Sequence, residues 1–182
     1  MITQAIIAQC QNGEPSAQRK VFAAYGQLLF KVVWRYLHER MAAEDAVAQG
    51  FAKAFQQMPK CHFESAQKLE AWLRRIVVNE ALGILREHYK WTWVELSELP
   101  QYSTGIEEQL DDLSTAELLN LIAALPPGYR TVFNLAVIEG YSHPEIAKLL
   151  EISEGTSKSQ LSKAKALLQS KIKKLYWHDF QK

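Results

Sequence analysis

The sequence predicts an all-α protein of two small helical domains joined by an acidic linker, the second domain ending in a helix-turn-helix. Three observations lead there. Apolar residues recur at three- and four-residue steps along nearly the whole chain, and β-branched alternation is confined to short pieces such as Val32-Val33. A Ser followed three residues later by Glu, the signature of a capping box, stands at Ser114 and again at Ser142. Charge falls into three blocks: residues 1–90 carry 12 Lys/Arg against 8 Asp/Glu, residues 91–128 carry none against 7, and residues 129–182 carry 9 against 5. The formal net of +1 therefore conceals two basic segments around an acidic one. Two phosphate-facing domains with a linker that avoids phosphate give this order, and so does a solvated acidic loop.

In order along the chain, Pro15 suits the first turn of a helix running through Phe22 and Tyr25. Gly26 is expected to interrupt it before a second helix, Leu28 to Leu37. Ala43 to Met58 forms another helix, with Val47, Phe51, Ala54, Phe55 and Met58 on one face and Pro59 ending it. Met58 to Lys68 reads as loop. A long helix then covers Leu69 to His88, with Leu69, Trp72, Leu73, Ile76, Leu82 and Leu85 at core spacings. From Trp91 to Asp112 the periodicity fades while Pro100, Gly105 and acidic residues accumulate, which marks a linker. The expected organisation is a first domain at 1–90, a linker at 91–113 and a second domain at 114–182. Within the latter, Pro126-Pro127-Gly128 stops the helix begun at Ser114. A helix over Tyr129 to Glu139 ends at Gly140, Ser142 opens a short helix, and after Glu151-Ile152-Ser153 a last helix runs from Glu154 to Tyr176.

Cys10 and Cys61 are 51 positions apart, which spells neither CxxC redox chemistry nor a Cys-based zinc site and fits a reduced, intracellular setting. No stretch reaches the length of a membrane span, and the N-terminus lacks a basic n-region, so a cytoplasmic protein without membrane insertion is expected. There is no HExxH, no P-loop, no dinucleotide-binding glycine turn and no nucleophile elbow, and the His residues are scattered. The expectation is a protein that is not an enzyme and needs neither metal nor cofactor. The aromatic segment Tyr89 to Val94, with Trp91 and Trp93, fits a partner-binding patch, but reads first as the linker start packed on the first domain.

The strongest chemical signal lies between Tyr141 and Leu175. A short capped helix, a tight turn carrying a buried Ile152 and a longer Ser-capped helix have the spacing of a helix-turn-helix. On the last helix Leu161, Ala164, Leu168, Ile172 and Leu175 are expected to pack inward. Lys158, Ser159, Ser162 and Lys163 then face outward, where a recognition helix meets base edges. Six Lys and no acid between Lys158 and Lys174 supply phosphate attraction. A helical hairpin with a solvated lysine face accounts for the same pattern.

The residues from Leu125 to Ile172, LPPGYRTVFNLAVIEGYSHPEIAKLLEISEGTSKSQLSKAKALLQSKI, resemble region four of bacterial RNA polymerase sigma factors, in particular the extracytoplasmic-function group. AAEDAVAQGFAKAF, followed by LEAWLRRIVVNEAL, resembles region two of the same group. The resemblance implies an alternative sigma factor that directs core RNA polymerase to promoter DNA and assists initiation, is monomeric when free and is held by an anti-sigma factor. It implies that Asp45, Gln49 and Phe51 serve polymerase binding. Lys53, Arg75 and Asn79, with Trp72, match positions near the melted downstream strand, and the Met58 to Lys68 loop matches one that captures a flipped base. For Trp72, ordinary core packing is the competing reading. Lys158, Ser159, Ser162 and Lys163 would read the upstream element as duplex.

Several positions depart from the group. Ala48-Gln49 replaces a common Gln-Glu pair, Glu151 stands where Gly is frequent in the turn, and Gln160 and Lys165 stand where Arg is frequent. Ala48 and Gln49 leave room for a different function, a stand-alone helix-turn-helix DNA-binding regulator that uses its N-terminal helices for dimerisation or another partner.

Overall fold

The computed structural model describes residues 2–88 and 115–179, and among these every regular element is helical. Helices α1 (Gln4–Gln11), α2 (Pro15–Leu37), α3 (Arg40–Gln57) and α4 (Ala66–His88) precede residues 91–113; α5 (Thr115–Ala123), α6 (Pro127–Phe133), α7 (His143–Leu150) and α8 (Glu154–Asp179) follow them. The chain divides into two compact units, Met1–Lys90 and Trp91–Lys182. The linker, the Tyr89 to Val94 aromatics and the Ser114 cap lie outside the described residues.

In the first unit, α2 runs unbroken through Gly26. A helical glycine costs about 1 kcal/mol against alanine, whereas each large apolar side chain buried on this helix contributes about 1.5–3 kcal/mol. Val21, Leu29, Val32 and Val33 are among those buried, so the continuous stripe outweighs the glycine. The helix ends at His38, whose φ of 52° turns the chain. Both carboxylate oxygens of Glu39 then cap α3, accepting from Met41 N at 2.8 Å and Ala42 N at 2.6 Å.

Small residues face inward on α3, and Gly50 lets α4 come close. A Cβ at Gly50 would meet Val77 Cγ1 at 2.6 Å and its Cα at 3.2 Å. Tyr36, Leu29, Met58, Leu69, Leu73, Leu82 and Leu85 fill the core between α2, α3 and α4. The stretch expected as loop is shorter than Met58 to Lys68. A 3-10 turn occupies Met58–Lys60 and α4 already begins at Ala66, because Ser65 Oγ and the Ser65 carbonyl accept from Lys68 N and Leu69 N.

In the second unit, Ile122, Leu125, Tyr129, Ala164 and Leu168 form the core between α5, α6 and α8. Arg130 is buried, and its Nη1 donates to the carbonyls of Ala123 at 2.9 Å and Leu125 at 3.4 Å, closing the C-terminal end of α5. The helix expected over Tyr129 to Glu139 widens into a π turn at Asn134–Ile138, and Gly140, at φ 75°, releases the chain toward α7.

Candidate nucleic-acid interface

Helix α7 starts at Ser142, where the Glu145 carboxylate accepts from the Ser142 backbone N–H at 2.9 Å and from its hydroxyl at 2.7 Å. It ends at Glu151, held in the left-handed region at φ 56°, ψ 44°. Ile152 is half-buried, not fully enclosed as the spacing alone predicted. Ser153 Oγ accepts from Thr156 N at 2.9 Å and so caps α8. His143 Nδ1 lies 2.8 Å from Ser157 Oγ, a link across the two helices that the sequence reading did not anticipate. Its only signal is a polar residue at the start of each helix.

The inward stripe of α8 is Ser157, Gln160, Ala164, Leu168 and Ile172, all buried. Leu161 is half-buried, which corrects its expected place in the core: Gln160, its neighbour, takes the enclosed position. Leu175 lies where side chains are not described. Lys158, Ser159 and Ser162 are exposed and Lys163 is half-buried. Lys158 Nζ stands 3.9 Å from Glu154, and Ser159 donates its hydroxyl to the Thr156 carbonyl at 3.0 Å. The Ser159 oxygen is thereby left as an acceptor, and the donors offered outward come from Lys158, Ser162 and Lys163.

In the first unit, Asp45 and Gln49 share the outer face of α3, joined by a 2.7 Å bond from Gln49 Nε2 to Asp45 Oδ2. Phe51 is not on that face. It is 2% exposed and meets Phe22 edge-on with ring centroids 4.8 Å apart, so it supports the helix from beneath. On α4, Lys68, Arg75, Asn79 and Arg86 are exposed along one line. Lys53 reaches α4 from α3 and binds Glu80 at 2.6 Å, beside Asn79. Trp72 is half-buried and packs on the buried ring of Phe63 at 5.0 Å, so it is neither enclosed core nor a free stacking surface.

The loop between Met58 and α4 is tied down by side chains from α1 and α2. Gln11 Nε2 donates to the Cys61 carbonyl at 2.5 Å, Gln4 Nε2 to the Phe63 carbonyl at 2.7 Å and the Tyr25 hydroxyl to the Ala66 carbonyl at 3.2 Å. Burial, with Glu70 adding to it, pushes the Tyr25 phenol pKa up and keeps that donor protonated. Sequence reasoning did not assign α1 a helix or a role. Among the described residues no helix is long and apolar enough to cross a membrane, and no group of His, Cys, Asp and Glu is placed to hold a metal ion.

Residues 21–90 match the Sigma-70 region 2 family and residues 115–168 match the Sigma-70, region 4 family. Over 184 residues, covering 94% of this chain and 96% of the relative, the sequence is 26% identical to the ECF RNA polymerase sigma-E factor of Haemophilus influenzae. It is 27% identical to the ECF RNA polymerase sigma factor SigW of Bacillus subtilis over 96% of this chain and 99% of that one. The chain belongs to the extracytoplasmic-function sigma factors. Region two of this sigma factor takes in most of α2 with α3 and α4, and region four takes in α5 to more than half of α8.

Solved structures agree on the fold. The sigma factor resembles CnrH, solved in complex with the cytosolic domain of CnrY, at a TM-score of 0.50 and 22% identity over 93% of this chain and 96% of that one. It also resembles RpoE of Bartonella quintana, solved in complex with the anti-sigma factor NepR, at a TM-score of 0.52 and 21% identity over 85% and 96%.

Proposed function

We propose that this sigma factor brings core RNA polymerase to its promoters through two separate surfaces and adds no catalytic step of its own, the polymerisation chemistry being the polymerase's. The observation that carries the reading is the order of the two family matches, region two and then region four, across nearly the full length of curated relatives. In this reading the exposed Asp45–Gln49 pair on α3 meets the polymerase, with Phe51 holding the helix from below. Lys53, Arg75 and Asn79 meet the separated downstream strand: cations attract phosphate and an amide reads a base edge. The loop after Met58 receives an unstacked base. Lys158, Ser162 and Lys163 donate to the upstream duplex, and Ser159 accepts. The protein works in the cytoplasm, beside polymerase and promoter. An anti-sigma partner is proposed by analogy with the relative solved with NepR.

A lone helix-turn-helix with a handful of lysines gains chiefly non-specific phosphate attraction, for which Kd is about 10⁻⁴ to 10⁻⁶ M at physiological salt. Tethering on polymerase raises the effective concentration of both DNA-binding units. The purified chain is therefore expected to be a monomer that binds promoter DNA poorly alone and specifically once core polymerase is added. Asp45→Ala, or Gln49→Lys, should remove that gain. Specific binding to a palindromic site by the free protein, unchanged by polymerase, would identify a stand-alone regulator and end this reading.

A further inference from the structure

The 61–65 loop has no ladder of its own, yet it is held at successive points. Phe63 is 4% exposed against Trp72, and the carbonyls on either side of His62 accept from α1. Gln4, Ile7 and Gln11 fall on one stripe of α1 at i, i+3 and i+7. Ile7, in the middle, is fully buried and fixes the helix to the unit. The two ends of the stripe carry amides, and both amides spend a donor on the same short loop, at positions 50 and 59 residues away in sequence. Phe63 is buried and Cys61 half-buried, so His62 and Glu64 are the fully exposed side chains of the loop.

We infer that Gln4 and Gln11 are positioning residues that pre-form the 61–65 loop for the unstacked downstream base, leaving His62 and Glu64 to face it. The inference rests on the reading of that loop given above. Its physical content is pre-organisation: a loop already ordered in the free protein loses less conformational freedom when the base arrives, and its exposed groups are aimed beforehand. The carbonyls of Cys61 and Phe63 each spend one lone pair on α1, so the exposed side chains of His62 and Glu64 are the loop groups most open to a base edge.

The test uses the full chain on core polymerase with a fluorescent single-stranded oligonucleotide spanning the downstream element. Affinity for the natural strand is divided by affinity for a strand made abasic at one position at a time, a ratio in which phosphate attraction cancels. Gln4→Glu with Gln11→Glu keeps the shape but sets a carboxylate against each carbonyl. The ratio should fall about tenfold at one position, with the salt slope unchanged. Gln4→Lys with Gln11→Lys, which restores a donor at each end, should keep the wild-type ratio. An unchanged ratio in the Glu pair overturns the inference, and so does an equal loss of affinity for every strand, abasic included, since that is what a merely stabilising α1 would give.

Should the Glu pair fail to fold, backbone amide exchange in the free wild-type protein decides. Protection of residues 61–65 above that of an open loop supports the bracing, and exchange at unstructured rates removes it. A wild-type chain with no discrimination at any downstream position would overturn the use of the loop itself, an outcome the exchange measurement keeps distinct from a failure of the bracing.

Discussion

His143 Nδ1 and Ser157 Oγ, 2.8 Å apart, fasten the first turn of α7 to the first turn of α8. Ser157 is fully buried and His143 half-buried, so losing the hydroxyl removes the partner of a partly enclosed ring nitrogen. Ser157→Ala should lower the stability of the second unit by about 1 kcal/mol. Chemical unfolding followed by circular dichroism on the full chain would register it, and duplex affinity should weaken in parallel as the helix pair loses its fixed angle.

Gly50 sits at a close approach of α3 and α4, with Val77 in the way of any larger side chain. The ordinary gain from replacing a helical glycine by alanine is reversed here by overlap with the backbone and a branched side chain. Gly50→Ala should cost about 1–3 kcal/mol, read as a lowered urea midpoint with an unchanged slope.

Lys163→Ala should flatten the dependence of duplex binding on salt by about one unit if the ammonium meets phosphate. Lys158→Ala should do less, because Glu154 at 3.9 Å already shares that charge. Anisotropy titrations at rising salt, on the polymerase-bound protein, would separate the two. Wild-type slopes in both variants would place the reading face of α8 elsewhere.

Glu80 holds Lys53 at 2.6 Å and competes with any phosphate that approaches it. Removing the carboxylate should therefore tighten the grip on single strands. Lys53 is more than half exposed, so the pair is worth about 0–1 kcal/mol and Glu80→Gln should raise affinity up to about fivefold. A loss of affinity would mean that Glu80 aims the lysine instead of occupying it.

The two thiols should differ in reactivity. Cys10 is fully buried and burial pushes its pKa up, whereas Cys61 is partly exposed on the loop. Iodoacetamide at neutral pH should label Cys61 alone in the native protein, as peptide mass analysis would show. A thiol whose folded pKa is raised contributes stability that is complete below the ordinary thiol range and lost as pH climbs through the raised value. The first unit should accordingly weaken in alkali, and Cys10→Ala should blunt that dependence.

What the sequence made legible follows from how local each determinant is. The helices α3, α4, α7 and α8 announce themselves by spacing, and α7 and α8 also by their Ser caps, whereas α3 and α4 begin three residues ahead of the apolar pattern, at the Glu39 and Ser65 caps. Phe51 carried two readings. Spacing puts it on the inward face of α3 with Val47, Ala54 and Met58, where the structure has it, whereas the resemblance alone gives it to polymerase binding. Leu161 and Gln160 are one residue apart, about 100° around the helix, and hydrophobicity alone picked the wrong one. Gly26 was read by propensity when the burial of its neighbours decides. The work of α1 was invisible because its partners, Cys61 and Phe63, lie half a hundred residues away.

Glu151 holds a backbone shape that glycine adopts freely, at φ 56°. Exchanging it for glycine would relieve about 1 kcal/mol of steric cost. The same exchange would loosen the unfolded chain by about 0.4–1 kcal/mol. For an exchange of Glu for Gly these two backbone effects nearly cancel. The choice between the two therefore falls to the side chain, and Glu151 sets a negative charge just ahead of α8 that glycine would not.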